Sequence, residues 1–186
     1  PGGDKIGRRR LDTHFINLEK LGAKLDYNSK NRTYSVNSKN SLKGTSILLD
    51  EASVTGTANI IMAAVLANGT SSIYNAACEP YIQQLCLLLN KMGAKISGIG
   101  SNLLIIEGVI KLDGASHQIL PDMIEIGSWI GLAAMTQSKL RIKDVSWENL
   151  GQIPDVFRKL GISLNKEGDD ILIPAHTNGY TVSNYI

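Results

Sequence analysis

The residues best placed to do chemistry open the chain. PGGDKIGRRRLDTH, Pro1 to His14, sets one carboxylate, Asp4, among Gly2, Gly3 and Gly7 and follows it with Arg8, Arg9 and Arg10. Glycines free the backbone for a mobile loop and for close approach to an anion. Guanidinium groups present planar forks that suit phosphate or carboxylate. The same residues also describe a flexible terminus with solvated charges. Asp12 reads both as a ligand acceptor and as a helix-start acid favoured by the dipole. Further along, Ser53 stands where a helix begins, as an anion donor or an ordinary N-cap. Glu79 precedes Pro80 and Asp122 follows Pro121, so both read as helix-start carboxylates. His14, His117 and His176 lack the cysteine or carboxylate spacing of a metal site, and no metal is expected. Cys78 and Cys86 read as apolar packing residues on one helical face.

The elements that position these residues come in copies about 70 residues apart. LEKLGAKLDY (Leu18 to Tyr27), LNKMGAKISG (Leu89 to Gly98) and FRKLGISLNK (Phe157 to Lys166) each read as an amphipathic helix end, a glycine cap and entry into a strand. Gly22, Gly93 and Gly161 are those caps. Strands are expected at Thr33 to Val36, Leu103 to Glu107 and Ile171 to Ile173, with Lys-Asn, Ser-Asn and Asp-Asp neighbours supplying the turns. A second repeated segment, Ala58 to Ile73 and Ser128 to Ile142, is Ala-rich and almost free of charge. It reads as a helix apolar all round and therefore buried on every side.

Each unit thus runs strand, buried helix, strand, amphipathic helix, strand, strand, which makes the class α/β with some parallel pairing. A domain change is expected around Ser116 to Pro121, giving residues 1–119 to a loop-bearing domain and 120–186 to the first, truncated unit of a second. His176 to Ile186 trails off in Gly, Ser, Asn and Tyr. The start at Pro1-Gly2-Gly3, with no initiator Met, leads us to expect that upstream sequence is missing.

Bulk properties narrow the class further. The 186 residues are 43% hydrophobic with a net charge of +2, a globular composition. The charges are spread along the chain without the basic footprint of a nucleic-acid binder. No apolar run approaches the roughly 20 residues of a membrane span. A reducing, cytoplasmic setting is expected, with neither nucleic acid nor membrane as a partner.

Taken in order, Pro1-Gly2-Gly3, Ile6-Gly7, Arg9, Asp12 and His14 resemble the catalytic loop PGGCxIGxRPVDxH of UDP-N-acetylglucosamine enolpyruvyl transferases. Ser53-Val54, Asn75 to Pro80, and Leu120-Pro121-Asp122 with Ile124-Glu125 and Gly127 agree in order and spacing. The resemblance runs through the whole chain and is specific in combination. It implies inside-out α/β barrels of βαβαββ units, here incomplete. It also implies transfer of the enolpyruvyl group of phosphoenolpyruvate to the 3-hydroxyl of UDP-N-acetylglucosamine, the step that commits the sugar to peptidoglycan, with no cofactor.

By resemblance Asp4 takes the place of the loop cysteine as proton donor. Arg9, catalytic and substrate-binding, holds the phosphate of phosphoenolpyruvate or the developing charge. Arg10, Leu11, Asp12 and Thr13 hold the uridine end, and Glu51, Ala52, Ser53 and Val54 meet the nucleotide. Glu79 and Asp122 line the cleft. Three departures stand out: Arg10 replaces a proline, Glu51 stands where many relatives carry a basic residue, and Met123 replaces an arginine. An Asp in place of the thiol that fosfomycin alkylates implies insensitivity to that drug. Other groups the resemblance requires lie outside these residues, so the remainder of its own chain is an expected partner and the piece alone is expected to be inactive. Two rival readings share the fold: a transferase acting on shikimate 3-phosphate, and a noncatalytic module.

Overall fold

The computed structural model describes residues 11–182. The chain divides into two units between Gln118 and Ile119. The first holds α1 (Asp12–Lys20), β1 (Lys24–Asn28), β2 (Thr33–Asn37), β3 (Ser46–Leu48), α2 (Val54–Ala64), β4 (Thr70–Tyr74), α3 (Pro80–Lys91), β5 (Lys95–Ser97) and β6 (Leu103–Glu107). The second holds α4 (Met123–Met135), β7 (Leu140–Ile142), a 3-10 turn at Trp147–Asn149, α5 (Ile153–Lys159), β8 (Asn165–Glu167) and β9 (Asp170–Ile173). The run from β3 to β6 is one complete βαβαββ unit.

Local chemistry explains the repeat. α1, α3 and α5 each end two residues before a glycine with positive φ, 99° at Gly22, 101° at Gly93 and 81° at Gly161. Only glycine adopts that turn cheaply, so the chain leaves the helix and enters a strand. β1 and β2 form an antiparallel hairpin. The main sheet of the first unit runs β3-β4-β6-β5, parallel between β3 and β4 and antiparallel elsewhere. β7-β9-β8 is wholly antiparallel.

The two charge-poor segments are each a helix and a strand, which corrects the single helix expected over Ala58 to Ile73 and Ser128 to Ile142. α2 stops at Ala64, Gly69 turns the chain with φ of 94°, and Thr70–Tyr74 continues as β4. Alternation explains this: Ser71 and Ile73 are buried while Thr70 and Tyr74 are exposed, the period of a strand. In the other copy Gln137, with φ of 53°, ends the helix ahead of β7.

Burial on every side is also corrected. α2 buries Gly56, Thr57, Ile60, Ile61 and Ala64 between the sheet, α1 and α3 but leaves Met62 half exposed. α4 buries Ile126, Ile130, Ala133 and Ala134, while Ile124, Trp129, Leu132 and Met135 face outward. Each core is aliphatic: Ile47, Ile60, Ile61, Ile73, Leu104 and Ile106 in the first unit, Ile130, Leu150, Ile171 and Ile173 in the second. Fully burying one such side chain contributes about 1.5–3 kcal/mol.

The stretch after β9 is irregular but anchored. His176 Nε2 accepts from the Ser163 amide at 2.9 Å, and the Tyr180 hydroxyl donates to the Ala134 carbonyl. Among the described residues no helix is long and apolar enough to cross a membrane.

Candidate functional site

β3 and β4 are parallel neighbours, so both deliver the chain to the same edge of the sheet, where α2 and α3 begin. The crevice outside the carboxyl ends of parallel strands is where α/β folds bind ligands. Side chains and amides tie the two exits together. Leu49 N–H donates to the Tyr74 carbonyl at 3.1 Å, and Asn75, held at φ of 57°, donates its side-chain amide to the Leu49 carbonyl at 3.0 Å. From within α2 the buried Thr57 hydroxyl accepts the Ala77 amide at 3.0 Å and so fixes the loop leading to Glu79.

Ser53 is the N-cap of α2, in extended conformation, and its Oγ accepts from Gly56 N–H at 3.1 Å. The first turn of α2 itself holds no acid, and the nearest carboxylate before it, Glu51, stands two residues ahead of the Ser53 cap. α1 lies against this mouth. The Thr13 hydroxyl donates to Glu51 Oε1 at 3.1 Å, and the Asn59 amide nitrogen is 2.7 Å from His14 Nδ1. A Cβ added at Gly56 would stand 2.7 Å from Thr13 Cγ2, so only a glycine lets α1 approach this closely.

The structure therefore brings Thr13, in the first turn of α1, to Glu51 and to the first turn of α2 that Ser53 caps. Leu11 is the N-cap of α1 and exposed, Asp12 is its first residue, and Thr13 is buried. Glu51 and Ala52 are exposed; Ser53 and Val54 are half-buried. Asp4, Arg9 and Arg10 lie outside the described residues. Glu79 occupies the N-cap position of α3 without capping it, and its Oε2 is buried with no hydrogen-bond partner among the described residues. Asp122 belongs to the second unit, where its Oδ1 caps α4 by accepting from Ile124 N–H at 2.8 Å and Glu125 N–H at 3.3 Å.

The cysteines differ from their expected common packing role. Cys86 is buried in α3, and burial pushes its thiol up from 9.0 to about 11. Cys78 is exposed because it precedes the helix rather than lying on it. Among the described residues no group of three or more His, Cys, Asp or Glu side chains could hold a metal ion. Sequence reasoning missed Thr57 and Asn59, and gave Asn75 no role beyond its place in a matching stretch. The available signal was a polar pair in an otherwise aliphatic helix, since buried polar groups need partners.

Residues 1–184 match the EPSP synthase (3-phosphoshikimate 1-carboxyvinyltransferase) family. The chain is 64% identical over all 186 residues to UDP-N-acetylglucosamine 1-carboxyvinyltransferase of Bacteroides fragilis, covering 42% of that relative's length. It is 55% identical over 174 residues, 94% of the chain, to the protein of the same name from Treponema denticola, covering 40% of its length. The chain thus spans well under half of the curated relatives it matches. Two solved structures share the fold. The enolpyruvyl transferase NikO from Streptomyces tendae aligns with a TM-score of 0.76 at 14% identity, over 91% of this chain and 43% of that one. EPSP synthase from Acinetobacter baumannii aligns with a TM-score of 0.66 at 20% identity, over 90% and 40%.

Proposed function

The chain belongs to the EPSP synthase (3-phosphoshikimate 1-carboxyvinyltransferase) family, and on that premise we propose that it is part of an enzyme transferring the enolpyruvyl group of phosphoenolpyruvate to the 3-hydroxyl of UDP-N-acetylglucosamine. The geometry that supports this is the packing of the first turn of α1, which holds Asp12 and Thr13, against the first turn of α2, which Ser53 caps. Helix N-terminal amides suit a nucleotide diphosphate. Asp12 supplies an acceptor for a uracil or ribose donor beside it. Leu11, Ala52 and Arg10 belong to the same nucleotide-facing set; Glu79 in the first unit and Asp122 in the second are each further substrate-binding residues of the proposal. The relatives' name points to the same acceptor sugar. In this reading the enzyme commits the sugar to peptidoglycan synthesis in the cytoplasm and thereby serves cell shape and division. Residues 1–119 belong to the loop-bearing domain and 120–186 open a second.

Asp4 is the proton donor and Arg9 the phosphate ligand of this proposal. A carboxyl with a reference pKa of about 3.9 donates protons near neutrality only when desolvation raises it, and neighbouring guanidinium groups oppose that shift. Its useful form therefore exists in the closed, substrate-loaded state. Asp4→Asn in the full-length protein abolishes turnover on this account; normal turnover would remove Asp4 from the role. Because a carboxylate is a poor nucleophile toward an epoxide, fosfomycin causes no time-dependent inactivation.

Phosphate release by the full-length protein, with phosphoenolpyruvate and either acceptor, tests the function. Turnover with UDP-N-acetylglucosamine and none with shikimate 3-phosphate is expected, and the reverse preference would establish the activity for which the family is named. The 186-residue piece alone is expected to release no phosphate.

A further inference from the structure

Two side chains outside α1 hold its first turn. Glu51, in the loop before α2, accepts the Thr13 hydroxyl, and Asn59, further along α2, bonds the His14 ring. The anchors fall on successive residues of α1 and on either side of the Ser53 cap in sequence. Between them Gly56 supplies the close approach, and the Asn17 side-chain amide donates to the Thr13 carbonyl at 2.6 Å from one turn later. Thr13 is only 5% exposed, so its hydroxyl has little access to water as an alternative partner.

We infer that Glu51 and Asn59 are positioning residues, which clasp α1 to the mouth of α2 and so set its first turn, Asp12 and Thr13, for the uridine end of the substrate. This rests on the nucleotide-sugar reading above. It also accounts for an acid at position 51. A carboxylate directed at a diphosphate would repel it, whereas here one carboxylate oxygen is engaged by Thr13. Glu51 acts through Thr13, and Asn59 acts through His14. Neither needs to touch the substrate.

A double-mutant cycle in the full-length protein tests the clasp, with UDP-N-acetylglucosamine titrated calorimetrically as the probe. Glu51→Ala and Thr13→Val each weaken binding about 3- to 10-fold, and together no more than either alone, as expected for two halves of one contact. Asn59→Ala and His14→Ala follow the same non-additive pattern. Glu51→Gln, which keeps an acceptor for the Thr13 hydroxyl, recovers binding to within about twofold of the parent. In Glu51→Ala and Asn59→Ala the loss appears in KM, while kcat at saturating substrate changes less than about twofold, because the clasp orders a binding surface rather than the reacting atoms. Thr13→Val is nearly isosteric and Glu51 is exposed, so these variants keep the fold. Multiplying effects of Glu51→Ala and Thr13→Val would overturn the clasp, as would a Glu51→Gln as weak as Glu51→Ala. A parent protein that binds no UDP-N-acetylglucosamine would instead overturn the functional reading beneath it.

Discussion

α2 and α4 occupy the same place in successive repeats, and both are aliphatic, Ala-rich and nearly free of charge, yet they meet different surroundings. α2 is flanked by α1 and α3 as well as the sheet, whereas α4 leaves Ile124, Trp129, Leu132 and Met135 outward. An all-round apolar pattern therefore reports a capacity for burial; the number of neighbouring elements decides how much of it is used. Their polar residues diverge more sharply. Thr57 and Asn59 of α2 reach other segments, bonding Ala77 and His14. Ser128 of α4 and Thr136 at its cap bond back to carbonyls of their own helix, Ile124 and Leu132, at 3.0 and 2.8 Å. Polar groups that leave their helix distinguish α2, the one at the candidate site.

The contrast can be broken by substitution. Ile60→Ala, in the sealed core, is expected to cost about 2–5 kcal/mol in urea unfolding. Thr57→Val leaves the Ala77 amide without its acceptor and is expected to cost about 1–3 kcal/mol. An unchanged midpoint would show that the tie between α2 and the Glu79 loop carries no weight. Cys86 reports on the seal made by α3. Its folded pKa is raised, so the folded state holds the proton more tightly and stability falls as pH rises from the ordinary thiol range toward about 11. At neutral pH a thiol reagent labels Cys78 alone, and both cysteines only after unfolding. Met135→Gln, on the outward face of α4, is expected to move stability within about 0.5 kcal/mol. A larger loss would mean that this face is covered.

What the sequence made legible follows the range of the physics involved. Glycine caps at Gly22, Gly93 and Gly161 and the Ser53 cap depend on residues a few positions away, and they can be read directly. The end of α2 is signalled locally by Asn68-Gly69, but the apolar residues on both sides hide the change from helix to strand until burial alternation is seen. Glu51 and Asn59 were opaque for a different reason: their partners lie 38 and 45 residues away, and only folding supplies them. Asp122 combines both cases, since its cap is local while any role in a cleft depends on distant chain.

Amide hydrogen exchange of the full-length protein with and without UDP-N-acetylglucosamine tests most directly that the nucleotide sugar sits at the mouths of α1 and α2. The account predicts slowed exchange at residues 11–14 and 53–57, in the first turns of those helices. Unchanged exchange at both, with saturating ligand and protection elsewhere, would contradict it.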